Sequence, residues 1–104
     1  MARGNGEWAL DENYDRRGIA RWRTTAKALI KQPRLRPLAV DLCDISSDGC
    51  GFIAPCNFEA GTRLLIDLPG LEIWSATVVW CRGERVGLRF SRPMHPAVAE
   101  RFAV

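Results

Sequence analysis

The sequence predicts a small all-β protein: a six-stranded antiparallel barrel with a flexible N-terminal basic arm and a short C-terminal helix. Three observations support this. From residue 24 to residue 90, short stretches rich in β-branched and aromatic residues alternate with turn signals, as in barrels and sandwiches. Closing such a sheet removes the edges of its short apolar strands. The 104 residues are enough for one domain and too few for two.

The first residues show no sustained hydrophobic period, so residues 1–15 are predicted to be a flexible tail and residues 16–104 the barrel domain with its arm. A β-like alternation begins at Thr24 and reaches a hairpin connection at Lys31–Arg34. Five further strands are expected at Leu38–Cys43, Cys50–Ala54, Arg63–Asp67, Leu71–Cys81 and Arg85–Phe90.

The remaining segments are predicted to be turns, loops and one helix. Asp44–Gly49 interrupts the alternation and is expected to form a turn. In His95–Val104, a short helix is expected after Pro96, because Val98 and Phe102 are spaced i, i+4.

Composition excludes several classes of protein. No apolar run approaches the ~18 residues that span a bilayer, and the acidic N-terminus has no leader-like apolar region, so a cytoplasmic location and no membrane partner are expected. The four cysteines, Cys43, Cys50, Cys56 and Cys81, form no C-x-x-C pair, and His95 is the one histidine. They are therefore expected to be reduced and mostly buried, with no metal site.

Charge is concentrated in one block. The net charge is +3, yet residues 16–37 contain eight Arg and Lys and no Asp or Glu. A block of this density attracts polyanions.

Two polar clusters flank the first predicted hairpin. One contains Arg16, Arg17 and Arg21, and the other contains Asp44, Ser46 and Gly49. Because a hairpin brings its two ends together, the clusters are expected to be neighbours. The arginine fork matches guanine O6 and N7 and phosphate oxygens, and a carboxylate accepts from the guanine edge. Ser46 can donate to phosphate, and Gly49 can adopt positive φ and admit a ligand close to the backbone. Together they favour a guanine nucleotide.

These residues resemble the PilZ family. Arg17-Gly18-Ile19-Ala20-Arg21 matches its Arg-x-x-x-Arg motif, and Asp44-Ile45-Ser46-Ser47-Asp48-Gly49 matches its Asp-x-Ser-x-x-Gly motif. Gly87-Leu88-Arg89-Phe90 and other segments extend the resemblance over residues ~16–92.

The resemblance implies a six-stranded barrel that binds cyclic di-GMP and signals to a partner protein. Arg17 and Arg21 would hold guanine and phosphate, Asp44 would accept from a guanine edge, and Ser46 would contact phosphate. Gly49 would shape the turn. An arginine at position 16 implies two stacked ligands per domain.

Other interpretations remain open from sequence. The arginines fit a solvated basic arm, and Asp44 and Ser46 fit residues that only bond the turn backbone. The chain also fits a PilZ-like adaptor without nucleotide or a small barrel that binds single-stranded nucleic acid. Trp22, Trp74 and Trp80 are expected to pack in the core or at the rim rather than to serve as stacking platforms. With one histidine and scattered carboxylates, no enzyme and no cofactor are predicted.

Overall fold

The structure, a computed structural model, describes residues 19–55 and 58–104. Seven strands and one helix lie in this part of the chain. They are β1 (Arg21–Arg23), β2 (Lys27–Lys31), β3 (Leu38–Ser46), β4 (Gly49–Ile53), β5 (Arg63–Asp67), β6 (Trp74–Arg82), β7 (Arg85–Phe90) and α1 (Pro96–Glu100). The predicted tail, Arg16, Arg17 and Cys56 lie outside the described residues.

The strands close into a barrel. The antiparallel order β3-β2-β5-β6-β7-β4 returns to its start because β4 also pairs with β3. The short β1 pairs with the end of β3, next to β2, so β1 and β2 act as two halves of one interrupted strand. Thr24 lies in the break, where its N–H donates to the Cys43 carbonyl at 3.1 Å. The predicted six-stranded barrel is confirmed.

Alternation along the strands fills the barrel with apolar side chains. On β5, for example, Leu64 and Ile66 are buried while Arg63 and Leu65 are exposed. The largest fully buried side chains are Phe52, Ile30, Ile45, Ile66, Leu68, Val78 and Val86. Each such burial contributes about 1.5–3 kcal/mol, so this core stabilises the barrel and leaves the outer face free for other roles.

A β-bulge changes the inside–outside pattern of β3. Leu42 pairs with Phe52 and Asp44 pairs with Gly51, which leaves Cys43 as an extra residue. Val40 and Leu42 are buried before the bulge, and Ile45 is buried after it. The extra residue reverses the parity of the strand, so Asp44 and Ser46 share the outer face with the residues that pair with them, Arg23 and Arg21.

Several predicted boundaries differ from the structure. β3 continues to Ser46 and β4 begins at Gly49, so the predicted turn at Asp44–Gly49 is wrong and shrinks to two residues. Arg21 was assigned to the flexible arm, yet it lies in β1. The strand predicted from Leu71 begins at Trp74, whereas Arg63–Asp67 and Arg85–Phe90 are confirmed as strands.

The predicted C-terminal helix is also confirmed. His95 caps α1, with its Nδ1 accepting from the Ala97 N–H at 3.0 Å. Ala99 is fully buried, and Val98 and Phe102 pack against the core. The Val104 N–H then donates to the Arg23 carbonyl at 3.1 Å, which joins the C-terminal segment to β1. None of the helices in the described range has the length and apolar character to cross a membrane.

Candidate functional site

A row of four residues crosses the outer face of the barrel from β3 to β6. In register, Asp44 pairs with Gly51, Gly51 with Gly87, and Gly87 with Trp80. Side chains therefore stand at both ends of the row, and two glycines lie between them. This arrangement forms a groove of about 140 Å³, here called the glycine groove, which these residues line together with Arg21, Ser46, Gly49 and Arg89.

The end residues of the row lean over the glycines. A Cβ at Gly51 would lie 3.1 Å from Asp44 Oδ1, and a Cβ at Gly87 would lie 2.4 Å from Trp80 Nε1. Both positions therefore need the absence of a side chain if Asp44 and Trp80 are to keep their placement. The two glycines thus let the Trp80 ring and the Asp44 carboxylate lie close to the backbone.

A second bulge brings Trp80 to this groove. Val78 pairs with Leu88 and Trp80 pairs with Gly87, so Val79 is the extra residue of β6. Trp74, Ala76 and Val78 are buried before it, whereas Trp80 remains 38% exposed.

Sequence reasoning assigned Trp80 to core or rim packing, and its place in the groove was missed. Trp22 and Trp74 do pack as expected, Trp22 partly buried against the core and Trp74 buried within it. The signal for Trp80 was the glycine opposite it, which only a known register reveals.

Two arginines lie beside the groove on paired strands. Arg21 pairs with Ser46 across β1 and β3, and Arg89 pairs with Gly49 across β7 and β4. Arg21 and Asp44 also line a second hollow, of about 540 Å³, that includes Arg23 and Arg85. Within the described residues, neither Arg21 nor Asp44 takes part in an ion pair.

Ser46 holds the tight turn that follows β3. Its hydroxyl accepts from the Asp48 and Gly49 N–H groups at 3.2 and 3.3 Å and donates to the Gly49 carbonyl at 3.5 Å. The turn-bonding interpretation thus applies to Ser46. Asp44 makes no such bond among the described residues, since its carboxylate lies over Gly51.

Gly49 has a packing role rather than a flexible one. The glycines with positive φ in the described chain are Gly61, Gly70 and Gly83, so the expectation of positive φ at Gly49 is wrong. A Cβ there would lie 1.9 Å from the Leu88 carbonyl oxygen. Gly49 is needed because β4 and β7 approach closely beside the groove.

The cysteines near the groove are held in the protonated thiol form. Burial, reinforced by the nearby Asp44 carboxylate, raises the pKa of Cys50 far above its ordinary value. Burial also raises the pKa of Cys43, although Arg85 opposes this. Both thiols therefore stay protonated at neutral pH, and the thiolate is the reactive form. In the described part of the chain, no group of three or more His, Cys, Asp or Glu side chains could hold a metal ion.

These features define a small β-barrel domain with a groove on its outer face. The family model for the PilZ domain matches residues 15–102, so the chain belongs to the PilZ domain family, which comprises binding domains that act as cyclic di-GMP receptors. The resemblance drawn from the two motifs is thereby confirmed.

A solved structure of an uncharacterized Legionella protein is similar to the chain. The two are 12% identical with a TM-score of 0.48, over 69% of this chain and 76% of the other. The search of curated proteins found no match.

Proposed function

We propose that this domain is a cyclic di-GMP receptor that signals to a partner protein. The observation that carries the proposal is the convergence of Arg21, Asp44 and Trp80 on one groove with a glycine floor. A forked donor, an acceptor and an aromatic face are three kinds of protein group that can recognise a guanine base.

Each group has a distinct task in the proposed complex. Arg21 donates to guanine O6 and N7 or to a phosphate oxygen, since its planar fork fits both. Asp44 accepts from the N–H groups of the guanine edge. Trp80 stacks on a base, which is worth about 1–3 kcal/mol per base in single-stranded nucleic-acid sites. Arg89 lies on the same side as Arg21 and adds positive charge for the phosphates.

Arg17 and Arg16 are proposed to complete the site. Arg17 precedes Arg21 by four residues, so their Cα atoms lie within about 14 Å of each other. The glycine groove, at about 140 Å³, is smaller than the ~300–1,000 Å³ of typical ligand pockets. Much of a cyclic dinucleotide would thus extend beyond it, within reach of these arginines. Arg16 would contact a second, stacked ligand.

Signalling follows from the location of the site. The glycine groove lies on the outer face of the barrel, so a ligand held there and its arginines become part of the surface that a partner meets. Ligand binding thereby changes the surface without any change in the core, and the signal requires no catalysis.

Isothermal titration with cyclic di-GMP tests the proposal, with cyclic di-AMP and GTP as controls. Saturable heat selective for cyclic di-GMP is expected, and a stoichiometry of two would support the role of Arg16. A single-stranded oligonucleotide is titrated over a salt series in parallel. Broad ligand tolerance with steep salt dependence would instead indicate nucleic-acid binding. If the folded protein gave no heat, the receptor proposal would be overturned, and an adaptor that does not bind nucleotide would be favoured.

A further inference from the structure

A second groove lies on the outer face near the β2–β3 turn. Lys31 on β2 pairs with Leu65 on β5, and Leu65 pairs with Ser75 on β6. These three residues point outward in one row, next to Gln32 and Pro33 of the turn. With Arg63 they line a groove of about 400 Å³, here called the hairpin groove.

The hairpin groove combines an apolar floor with one lining arginine, Arg63, that has no ion-pair partner among the described residues. Leu65 is 43% exposed, and Leu35 at the turn is 62% exposed. Lys31 has Asp67 at 3.6 Å. By contrast Arg63 on the rim, like Arg34 and Arg36 in the adjoining turn, has no ion-pair partner among residues 19–55 and 58–104. Exposed apolar surface bordered by unpaired charge is typical of interaction sites.

The backbone of the turn adds a second observation. Arg34 has a φ of 66°, a left-handed conformation in which a non-glycine residue is uncommon. Glycine or asparagine would be easier to accommodate there. The turn nevertheless presents an arginine, and strained residues tend to occur where a side chain has a function.

The hairpin groove is remote from the glycine groove. β3 connects the two regions, from Leu38 beside the turn to Ser46 at the glycine groove, and nine residues of strand span about 26 Å. An occupant of the hairpin groove would thus leave the glycine groove open. Docking at the hairpin groove would therefore not require nucleotide binding.

We propose that the hairpin groove docks an acidic, apolar segment of a partner protein. Apolar side chains of that segment pack over Leu65, and its carboxylates pair with Arg63 on the rim and Arg34 in the turn. A concave floor accepts inserted side chains, whereas a bilayer surface favours protruding apolar ones. The residues described as lining the groove include no aromatic for base stacking, which argues against single-stranded nucleic acid.

Fluorescence anisotropy with synthetic peptides tests this proposal. The probe is a fluorescein-labelled 12-residue peptide in which Glu alternates with Leu; its controls replace every Glu by Lys or every Leu by Ser. Saturable binding of the Glu–Leu peptide alone is expected. Arg63→Glu and Leu65→Glu should each weaken it at least about fivefold, through charge reversal and loss of the apolar contact. Leu65→Ser replaces Leu65→Glu if circular dichroism shows misfolding.

Matched variants separate this surface from general electrostatics and from the nucleotide site. Arg101→Glu and Ile53→Glu change exposed residues outside the hairpin groove and should keep wild-type peptide affinity. Arg63→Glu should also leave the cyclic di-GMP titration unchanged from wild type, whether or not the wild-type protein binds the nucleotide.

Three results would overturn the docking proposal. The first is no binding of the Glu–Leu peptide. The second is peptide binding that Arg63→Glu leaves unchanged. The third is binding to phosphatidylglycerol vesicles or a single-stranded oligonucleotide that Arg63→Glu abolishes while the peptide fails to bind.

Discussion

The two sides of the barrel differ in the register of their strand pairs. Where β5 pairs with β2 and β6, the registers run without a shift, and buried and exposed side chains alternate regularly. Where β3 meets β4 and β6 meets β7, each register shifts by one residue, at Leu42/Asp44 and at Val78/Trp80. Both shifts open onto the glycine groove, so the candidate site lies where the regular pattern is interrupted.

The physical reason lies in what each bulge removes from the core. Without the bulge at Cys43, Asp44 would follow Val40 and Leu42 towards the interior, and an unpaired carboxylate there would cost several kcal/mol. Without the bulge at Val79, Trp80 would follow Trp74, Ala76 and Val78 inward and overfill the barrel. The bulges thus deliver an acid and an aromatic ring to the surface while the strands on either side continue to fill the core.

The largest expected effect concerns the close contact of β4 with β7. Gly49→Ala would place a Cβ 1.9 Å from the Leu88 carbonyl oxygen, and because the obstacle is backbone, the strands must separate. The free energy of unfolding should fall by about 3 kcal/mol, measured by urea denaturation.

The neighbouring glycine is the control for that measurement. At Gly51 a Cβ would meet the Asp44 carboxylate at 3.1 Å, which a half-exposed side chain can relieve by moving. Gly51→Ala should cost about 1 kcal/mol or less of stability, yet it should weaken cyclic di-GMP binding by displacing Asp44. Equal stability losses in the two variants would contradict the distinction between the packing glycine and the groove glycine.

The same contrast explains what could be predicted from sequence. Arg63–Asp67 and Arg85–Phe90 were predicted to the residue, because turn residues bound each of them at both ends. Asp44–Gly49 was misread as a turn since the bulge at Cys43 resembles the end of alternation. An extra residue within a strand and a true turn interrupt the pattern in the same way, and only the register distinguishes them.

The candidate site was recovered in part for a related reason. Arg21, Asp44, Ser46 and Gly49 were identified through motif spacing, and the structure brings all four to one groove. Trp80 and the Gly51–Gly87 floor come from other strands and became neighbours only through pairing. Sequence spacing identifies residues near one turn, whereas cross-strand partners require the fold.

The second largest effect concerns the arginines of the arm and β1. Arg17→Ala and Arg21→Ala should each cost about 1–3 kcal/mol of cyclic di-GMP binding if each makes a bidentate contact, measured by calorimetry. Arg36→Ala, which removes the same charge in the turn at the far end of β3, controls for general attraction. Unfolding of either variant would assign a structural role to that arginine, and wild-type affinity in both would refute the site.

Trp80 provides a test of the second bulge. Trp80→Ala should weaken cyclic di-GMP binding by about 1–2 kcal/mol through lost stacking, while Trp80→Phe should retain most of the affinity. Stability should change little, because the ring lies on the outer face and its cation–π partner Arg82, 5.6 Å away, is exposed. If Trp80→Ala unfolded the domain and left binding unchanged in the folded fraction, the ring would be a packing element only.

The smallest effect should appear on the regular side of the barrel, at the turn beside the hairpin groove. Arg34 has a φ of 66°, which costs a side-chain-bearing residue about 1–2 kcal/mol. Arg34→Gly removes that cost. It also raises the conformational entropy of the unfolded chain, but the stability lost in this way is somewhat smaller than the strain that is relieved. The variant should therefore be more stable by about 0.5–1 kcal/mol in urea denaturation.

Arg36→Gly is the control, because Arg36 lies two residues away and has no positive φ. Its free energy of unfolding should fall by about 0.4–1 kcal/mol. A gain at Arg34 together with weaker binding of the acidic peptide would mean that the turn sacrifices stability to present a cation. A loss at both positions would mean that the Arg34 side chain supports the turn itself.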